Sequence, residues 1–304
     1  MSKKPMKGDS PDPKYPLTWM KLVSIKLDGI RLMMDGREPR TNSMKELPNK
    51  HTVAKLQASP GLEDCDMELI VGDPADPLCY NKTFRGVMTI EGEPEVDFHI
   101  FDLVKPGVPY KDRLAELAKR FADGLMPANA KLVEQTVVNS QAQLDEIYAQ
   151  VTAAGHEGLI VRSPDGDYKF GRATAKSQDL LKLKPEEDSE FGILSCYEAM
   201  ENQNEAFVNE LGRTERSSHQ ENKVGKGMLG GFLAKDVYSG VQFDCAPGKL
   251  THDERIALWK QWLADPHSVM RKLGKYRHFP VGALPGGKPR HPRWIGWRAK
   301  EDMS

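Results

Sequence analysis

A chain of 304 residues is long enough for two domains at ~150 residues each. With 39% hydrophobic and 29% charged residues it has the composition of an ordinary soluble globular protein, and no apolar run approaches the ~18 residues of a membrane-spanning helix. The net charge of −1 gives no overall attraction for nucleic acid, and four cysteines (Cys65, Cys79, Cys196, Cys245) far apart and without a CxxC pair argue for reduced thiols in a cytoplasm rather than a disulfide or zinc framework.

Met1 to Pro13 is polar, with Lys3, Lys4 and Lys7 but no apolar stretch behind them. It therefore reads as a solvated tail and not as a secretory signal. Leu22 to Met34 reads as strand, turn, strand, broken at Asp28-Gly29, a hairpin-type signal. Short apolar strands are predicted at Met67 to Val71, Val96 to Leu103, Leu159 to Arg162 and Leu180 to Leu183. Two amphipathic helices fall between them. One is Tyr110 to Ala122, with Leu114, Leu117, Ala118 and Phe121 on one face. The other is Gln141 to Ala154, with Ser140 as its cap and Gly155 as its stop. The mixture points to an α+β fold rather than regular βαβ repeats.

A charged, proline-bearing stretch, Pro185-Glu186-Glu187-Asp188-Ser189, marks a boundary, giving domains 1–187 and 188–304. Beyond it come short strands at Phe191 to Met200, Leu229 to Asp236 and Val241 to Asp244, then a helix from His252 to about Ala264. Thr251 and Glu254 form a capping box at its start. Short strands, glycine-rich turns and one helix suit a small β-barrel of the OB type. Arg271 to Lys300 carries nine Lys or Arg and no Asp or Glu. A basic tail is the plain explanation, but Trp294 and Trp297 within it favour a folded, phosphate-contacting surface.

Charged residues recur beside apolar strands, where a core strand would exclude them. Lys26 precedes the Asp28-Gly29 break and can present its amine into a cleft, provided that desolvation or neighbouring cations free it of its proton. Glu68 lies in the strand at Met67, Phe101 near the end of the strand at Val96, and Glu157 immediately before Leu159. Lys182 and Lys184 alternate onto one strand face. The eight histidines form no HxH or HExxH pair, which leaves them structural.

Taken in order, these segments resemble the covalent nucleotidyltransferase superfamily, and within it the minimal phage-type ATP-dependent DNA ligases. The resemblance runs from Ser24 to the C-terminus. Lys26-Leu27-Asp28-Gly29-Ile30-Arg31 is similar to the nucleophile motif, and Glu68, Phe101 and Glu157-Gly158 to the central motifs. Lys182-Leu183-Lys184-Pro185 is similar to the paired-lysine motif, and Arg290-His291-Pro292-Arg293-Trp294-Ile295-Gly296-Trp297-Arg298 to the last motif; Arg40 stands where the family has a further arginine. The resemblance implies an adenylation domain of antiparallel sheets and helices followed by an OB-fold domain. It implies a monomer that seals 5′-phosphate/3′-hydroxyl nicks in double-stranded DNA away from any membrane, with ATP and magnesium or manganese. Lys26 would carry AMP, with Lys182 and Lys184 holding the α-phosphate. Ile25, Arg31, Glu68, Phe101 and Arg298 would complete the nucleotide site, Glu157 and Glu68 would bind metal, and Arg40, Arg290 and Arg293 would meet DNA.

Two departures stand out. Ser24 replaces a glutamate common two residues before the nucleophile, and the acid and lysine positions of Arg298-Ala299-Lys300-Glu301-Asp302 do not align with the last motif. The rival readings are an RNA ligase or capping enzyme and a catalytically inert nucleic-acid clamp. The Arg-Pro-Trp ending favours a DNA ligase over the first, and the joint presence of Lys26, Glu157, Lys182 and Lys184 argues against the second.

Overall fold

The segment that reads as a hairpin around Asp28-Gly29 is two strands of two different sheets. In the computed structural model, which describes residues 4–208, 214–217, 222–284 and 287–298, β1 (Lys21–Ile25) and β2 (Ile30–Asp35) are joined by a crossing. The glycine there serves close approach rather than a turn: a Cβ on Gly29 would stand 2.2 Å from the Leu69 carbonyl oxygen.

The chain divides into two units, Met1–Pro185 and Glu186–Ser304. In the first, β2 belongs to a five-stranded sheet with β3 (Glu38–Thr41), β4 (Cys65–Ile70), β5 (Asp97–Leu103) and β6 (Ala130–Leu132), in the order β3-β2-β4-β5-β6. All its pairs are antiparallel except β5 with β6. The other sheet is β7-β1-β8-β9, with β7 (Thr136–Val138), β8 (Leu159–Arg162) and β9 (Leu180–Leu183), and is fully antiparallel. Leu32, Met67, Leu69, Phe98 and Ile100 of the larger sheet pack in one core with Leu56, Val87 and Leu117. These last belong to α1 (Lys50–Gln57), α2 (Cys79–Met88) and α3 (Tyr110–Ala122). α4 (Gln141–Ala153) packs Leu144 against Val23, Val138 and Val161 of the smaller sheet. Its start is as the sequence suggests, with the Ser140 side chain accepting from the Gln143 N–H.

Strand alternation then decides which residues face away from the helices. In the larger sheet Arg31, Glu68 and His99 lie in register across β2, β4 and β5. In the smaller sheet Ser24, Ile160 and Lys182 lie in register across β1, β8 and β9. Along β5 the register slips by one: Asp66 pairs with Asp102 but Met67 with Ile100, so Phe101 is an extra residue in a β-bulge.

The N-terminal stretch is not a solvated tail. Met6 is fully buried beside Tyr168, Ala173 and Leu180. Residues 7–9 run alongside β9: the Lys182 N–H donates to the Asp9 carbonyl (2.8 Å) and the Lys7 N–H to the Gly171 carbonyl (2.6 Å). The cause is a missing edge partner, since β9 ends its sheet and this segment satisfies the backbone groups it would otherwise expose. Met6→Ala is expected to destabilise the first unit by about 2–5 kcal/mol. A urea midpoint unchanged by that substitution would return the segment to the role of a tail.

In the second unit β10 (Glu187–Asn202), β13 (Lys223–Asp236), β14 (Gln242–Cys245), β15 (Leu273–Leu284) and β16 (Lys288–Arg298) form an antiparallel sheet ordered β14-β13-β10-β15-β16. Its edge strands meet where the Trp294 N–H donates to the Ala246 carbonyl (2.9 Å), which curls the sheet upon itself. β11 (Ala206–Val208) and β12 (Thr214–Arg216) make a separate ribbon. α5 (His252–Ala264) begins at the Thr251–Glu254 capping box, and α6 (Pro266–Met270) follows.

The strands are longer than the sequence suggests, because several glycines sit inside them rather than in turns. β10 carries three register shifts against β13, and a Cβ on Gly230 would stand 2.7 Å from the Glu198 carbonyl oxygen. The basic stretch is largely β15 and β16, and Trp294 is buried with Phe191, Phe232 and Tyr276. Ala299 to Asp302, where the last motif fails to align, lies outside the described residues.

Candidate active site

Lys26 starts the crossing between the two sheets of the first unit, and its position is fixed from both ends of its own residue. Its backbone N–H donates to the Gly158 carbonyl (2.8 Å), and its ammonium meets one oxygen of the Glu157 carboxylate. The Lys184 ammonium is 3.5 Å from the other oxygen. Glu157 can sit there because Gly158 lets β8 begin hard against β9. Gly158 has φ +140°, and a Cβ on it would lie 2.1 Å from the Leu183 carbonyl oxygen.

Residues of both strand rows line one cleft of about 310 Å3, which contains Ile25, Lys26, Arg31, Glu68, Phe101, Lys182 and Lys184. Lys182 is held below the usual lysine range, first by burial and then by the charges of Lys184 and Lys26. Three lysines in one cleft with few carboxylates make a site that gains by taking in an anion.

Glu68 behaves differently. Burial pushes its carboxyl up to about 7, with the charge of Glu157 adding to the rise, while Lys26, Arg31 and the Gly29 N–H (3.2 Å from Oε1) oppose it. The folded chain thus keeps a proton that an unfolded glutamate releases near 4.5. Such a group costs nothing below that value and removes stability as pH rises through it towards about 7. Glu68→Gln is therefore expected to raise the urea midpoint of the first unit near pH 8 and to leave it unchanged near pH 4. Equal shifts at both would rule this cause out.

Arg31 reaches the cleft but spends much of its fork elsewhere. It makes two bonds to the buried Asp66 (2.9 and 2.6 Å) and one to the Met6 carbonyl (2.6 Å). Its guanidinium stands 5.4 Å from the centre of the Phe101 ring. Arg162 lies 5.8 Å from the same ring and pairs with Asp102, which also holds Arg113 at 2.7 Å. Asp66 and Asp102 are both fully buried.

These supports were not singled out in the sequence, and neither were Lys7 and Arg172, which also line the cleft. Lys7 arrives there only because the N-terminal segment packs along β9. Arg40 is not among the cleft residues; on β3 it pairs with Glu46 (3.2 Å) and Glu38 (3.9 Å). Arg290, Arg293 and Arg298 all lie on β16 of the second unit. Arg293 pairs there with Glu186 (2.5 Å) and Arg298 with Glu190 (3.1 Å).

The two carboxylates can be tested as a metal site on their own chemistry. Magnesium takes one or two carboxylates and completes its shell with substrate phosphate oxygens. Glu68 and Glu157 repel one another closely enough to raise Glu68, so a divalent cation between them fits. Among the described residues no cluster of three or more His, Cys, Asp or Glu gathers, so phosphate would supply the remaining ligands.

A family model described as the ATP dependent DNA ligase domain matches residues 81–184. That segment is similar to ATP-dependent DNA ligases. The matched segment includes Phe101, Glu157, Lys182 and Lys184, whereas Lys26 and Glu68 precede it. A DNA ligase of Haemophilus influenzae is 24% identical over 208 residues, 68% of this chain and 72% of that protein. Ligases of Methanothrix thermoacetophila and Haloarcula marismortui are 27% and 25% identical over 38% and 54% of the chain. The matches span only 21% and 32% of those two relatives. Among solved structures, a Lig E DNA ligase aligns over 98% of this chain and 100% of its own, at 23% identity and TM-score 0.70. The Chlorella virus DNA ligase-adenylate aligns over 99% of both chains, at 24% identity and TM-score 0.54. The fold of the chain is thus a nucleotidyltransferase domain followed by an OB-fold domain.

Proposed function

We propose that the chain is an ATP-dependent DNA ligase that seals 5′-phosphate/3′-hydroxyl nicks in duplex DNA, and that it carries AMP on Lys26 between steps. The observation that carries this reading is the Lys26 amine in a cleft with Lys182, Lys184, Glu157 and Glu68. In the first step Lys26 Nζ bonds to the α-phosphorus of ATP, the bond to the β-phosphate oxygen breaks and pyrophosphate leaves. Attack needs the free amine, and Glu157, in contact with it, is the group placed to take its proton. In the second step an oxygen of the nick's 5′-phosphate attacks the same phosphorus and returns Lys26 to an amine. In the third the 3′-hydroxyl attacks the activated 5′-phosphate, and AMP departs.

Each step is transfer at phosphorus, which rewards positioning and charge neutralisation. Lys182 on β9 and Lys184 just past its end would meet the α-phosphate, Glu68 the ribose, and Phe101 would stack on the base. Arg40, Arg290, Arg293 and Arg298 are assigned to phosphates of DNA or pyrophosphate by their charge and family position. Magnesium held by Glu157 and Glu68 would neutralise charge on the phosphate oxygens. Nicked duplex is the partner and a monomer the acting form. The compartment is the cytoplasm, in keeping with four buried, unpaired cysteines.

The test is intact-mass analysis after incubation with magnesium and ATP, then addition of nicked duplex. An AMP-sized gain that is lost as sealed strand appears supports the ligase. No gain, from protein free of AMP at the start, leaves an inert DNA clamp as the better reading.

A further inference from the structure

The cleft has a cationic part and an uncharged part. Lys26, Lys182, Lys184, Lys7 and Arg172 make up the first. Ser24, Ile25, Leu27 and Val133 line the second, and the same four residues also wall an adjoining chamber of about 410 Å3. Phosphates are drawn to the cations, so the base of a bound nucleotide is left to the uncharged part. Two buried nitrogens in the adjoining chamber, His99 Nε2 and His156 Nδ1, have no hydrogen-bond partner among the described residues. His99 is only 9% exposed. Buried polar atoms in folded proteins are almost always paired, so an unpaired one marks a position that a ligand can complete.

His99 is also well placed along the larger sheet. It lies directly across from Glu68 on the neighbouring strand, in the row Arg31–Glu68–His99–Lys131. Burial, with a further contribution from Lys131, holds its imidazole below the usual histidine range. An unprotonated imidazole carries one donor and one acceptor nitrogen. A neutral imidazole matches the uncharged edge of a purine, which carries donors and acceptors side by side.

We propose that His99 is a specificity-determining residue that pairs through Nε2 with the amino-bearing edge of the purine, and that His156 Nδ1 adds a second polar contact. The inference rests on the nucleotidyltransferase reading above. It names the residues that choose the base, whereas the phosphate chemistry belongs to the lysines.

The experiment compares adduct formation from ATP and from purine riboside triphosphate, which lacks the 6-amino group. The unaltered protein is expected to favour ATP in kcat/KM by roughly 10-fold or more, the size of one buried hydrogen bond. His99→Leu is expected to bring the ratio near one, chiefly through KM, and His99→Gln to restore part of it. A ratio near one in the unaltered protein overturns the proposal without any variant being needed. An unchanged ratio in folded His99→Leu overturns it as well, while leaving the ligase reading intact. Absence of an adduct from every nucleotide overturns both.

Discussion

Lys26→Ala is expected to abolish the AMP adduct, lowering the rate of its formation by on the order of 10^4-fold or more, while the fold persists. The neighbouring lysines of β9 and its end are held differently. Lys184 is held 3.5 Å from Glu157, and Lys182 projects from β9, which no crossing carries between the sheets. The fold persists because Lys26 is 20% exposed at its side chain and because Glu157 keeps Lys184 as a partner once Lys26 is gone. Intact-mass analysis after incubation with ATP, paired with a thermal melt, separates the two effects. An adduct surviving in folded Lys26→Ala would move the nucleophile to another residue.

The largest expected effect on stability is at Asp102. Its carboxylate is fully buried between Arg113 and Arg162, whose side chains are 1% and 3% exposed. Asp102→Ala leaves two almost fully buried guanidiniums without their counter-charge. Breaking a buried pair in this way costs about 3–5 kcal/mol. Asp123→Ala, which removes an exposed pair with Lys119 on the surface of α3, serves as the control and should leave the urea midpoint where it was. If the two substitutions shift the midpoint equally, the buried network is not what holds Phe101 and its neighbours in place. Because Arg162 also lines the cleft, Asp102→Ala should weaken ATP binding in whatever fraction remains folded.

The residues that the resemblance assigns to the site of the first unit stand out in the sequence because each is a charged or aromatic type set beside an apolar strand. Lys26, Glu68, Phe101, Lys182 and Lys184 line one cleft, and Glu157 meets Lys26 and Lys184 there. What gathers them was hidden for physical reasons. Asp-Gly signals a hairpin and a crossing alike; the choice lay with β7 and β8, which take β1 as their partner from more than a hundred residues away. Asp66 and Asp102 look like ordinary carboxylates until folding brings Arg31 and Arg162 to them from 35 and 60 residues away. The N-terminal segment is tied down mainly through backbone groups, which leave no mark in residue types, and Met6 alone gave no periodicity. α1 and α2, at 8 and 10 residues, are too short for their pattern to stand out. Glycines inside β13 read as turns because their reason, the approach of Glu198 and Tyr197 on β10, is likewise distant in the chain.

The single extra residue at Phe101 has a consequence for how this protein can vary. β4 and β5 agree in register on both sides of the bulge, so the added residue alone turns the ring towards the cleft while Ile100 stays in the core. Deleting Phe101 would restore a regular ladder and take the ring from the cleft, whereas deleting another residue of β5 would restore it only by turning the side chains between the cut and the bulge to the opposite face. Exchanges among apolar residues along β5 are therefore the changes that descendants and engineered versions can absorb. Its length is the part they must inherit unaltered.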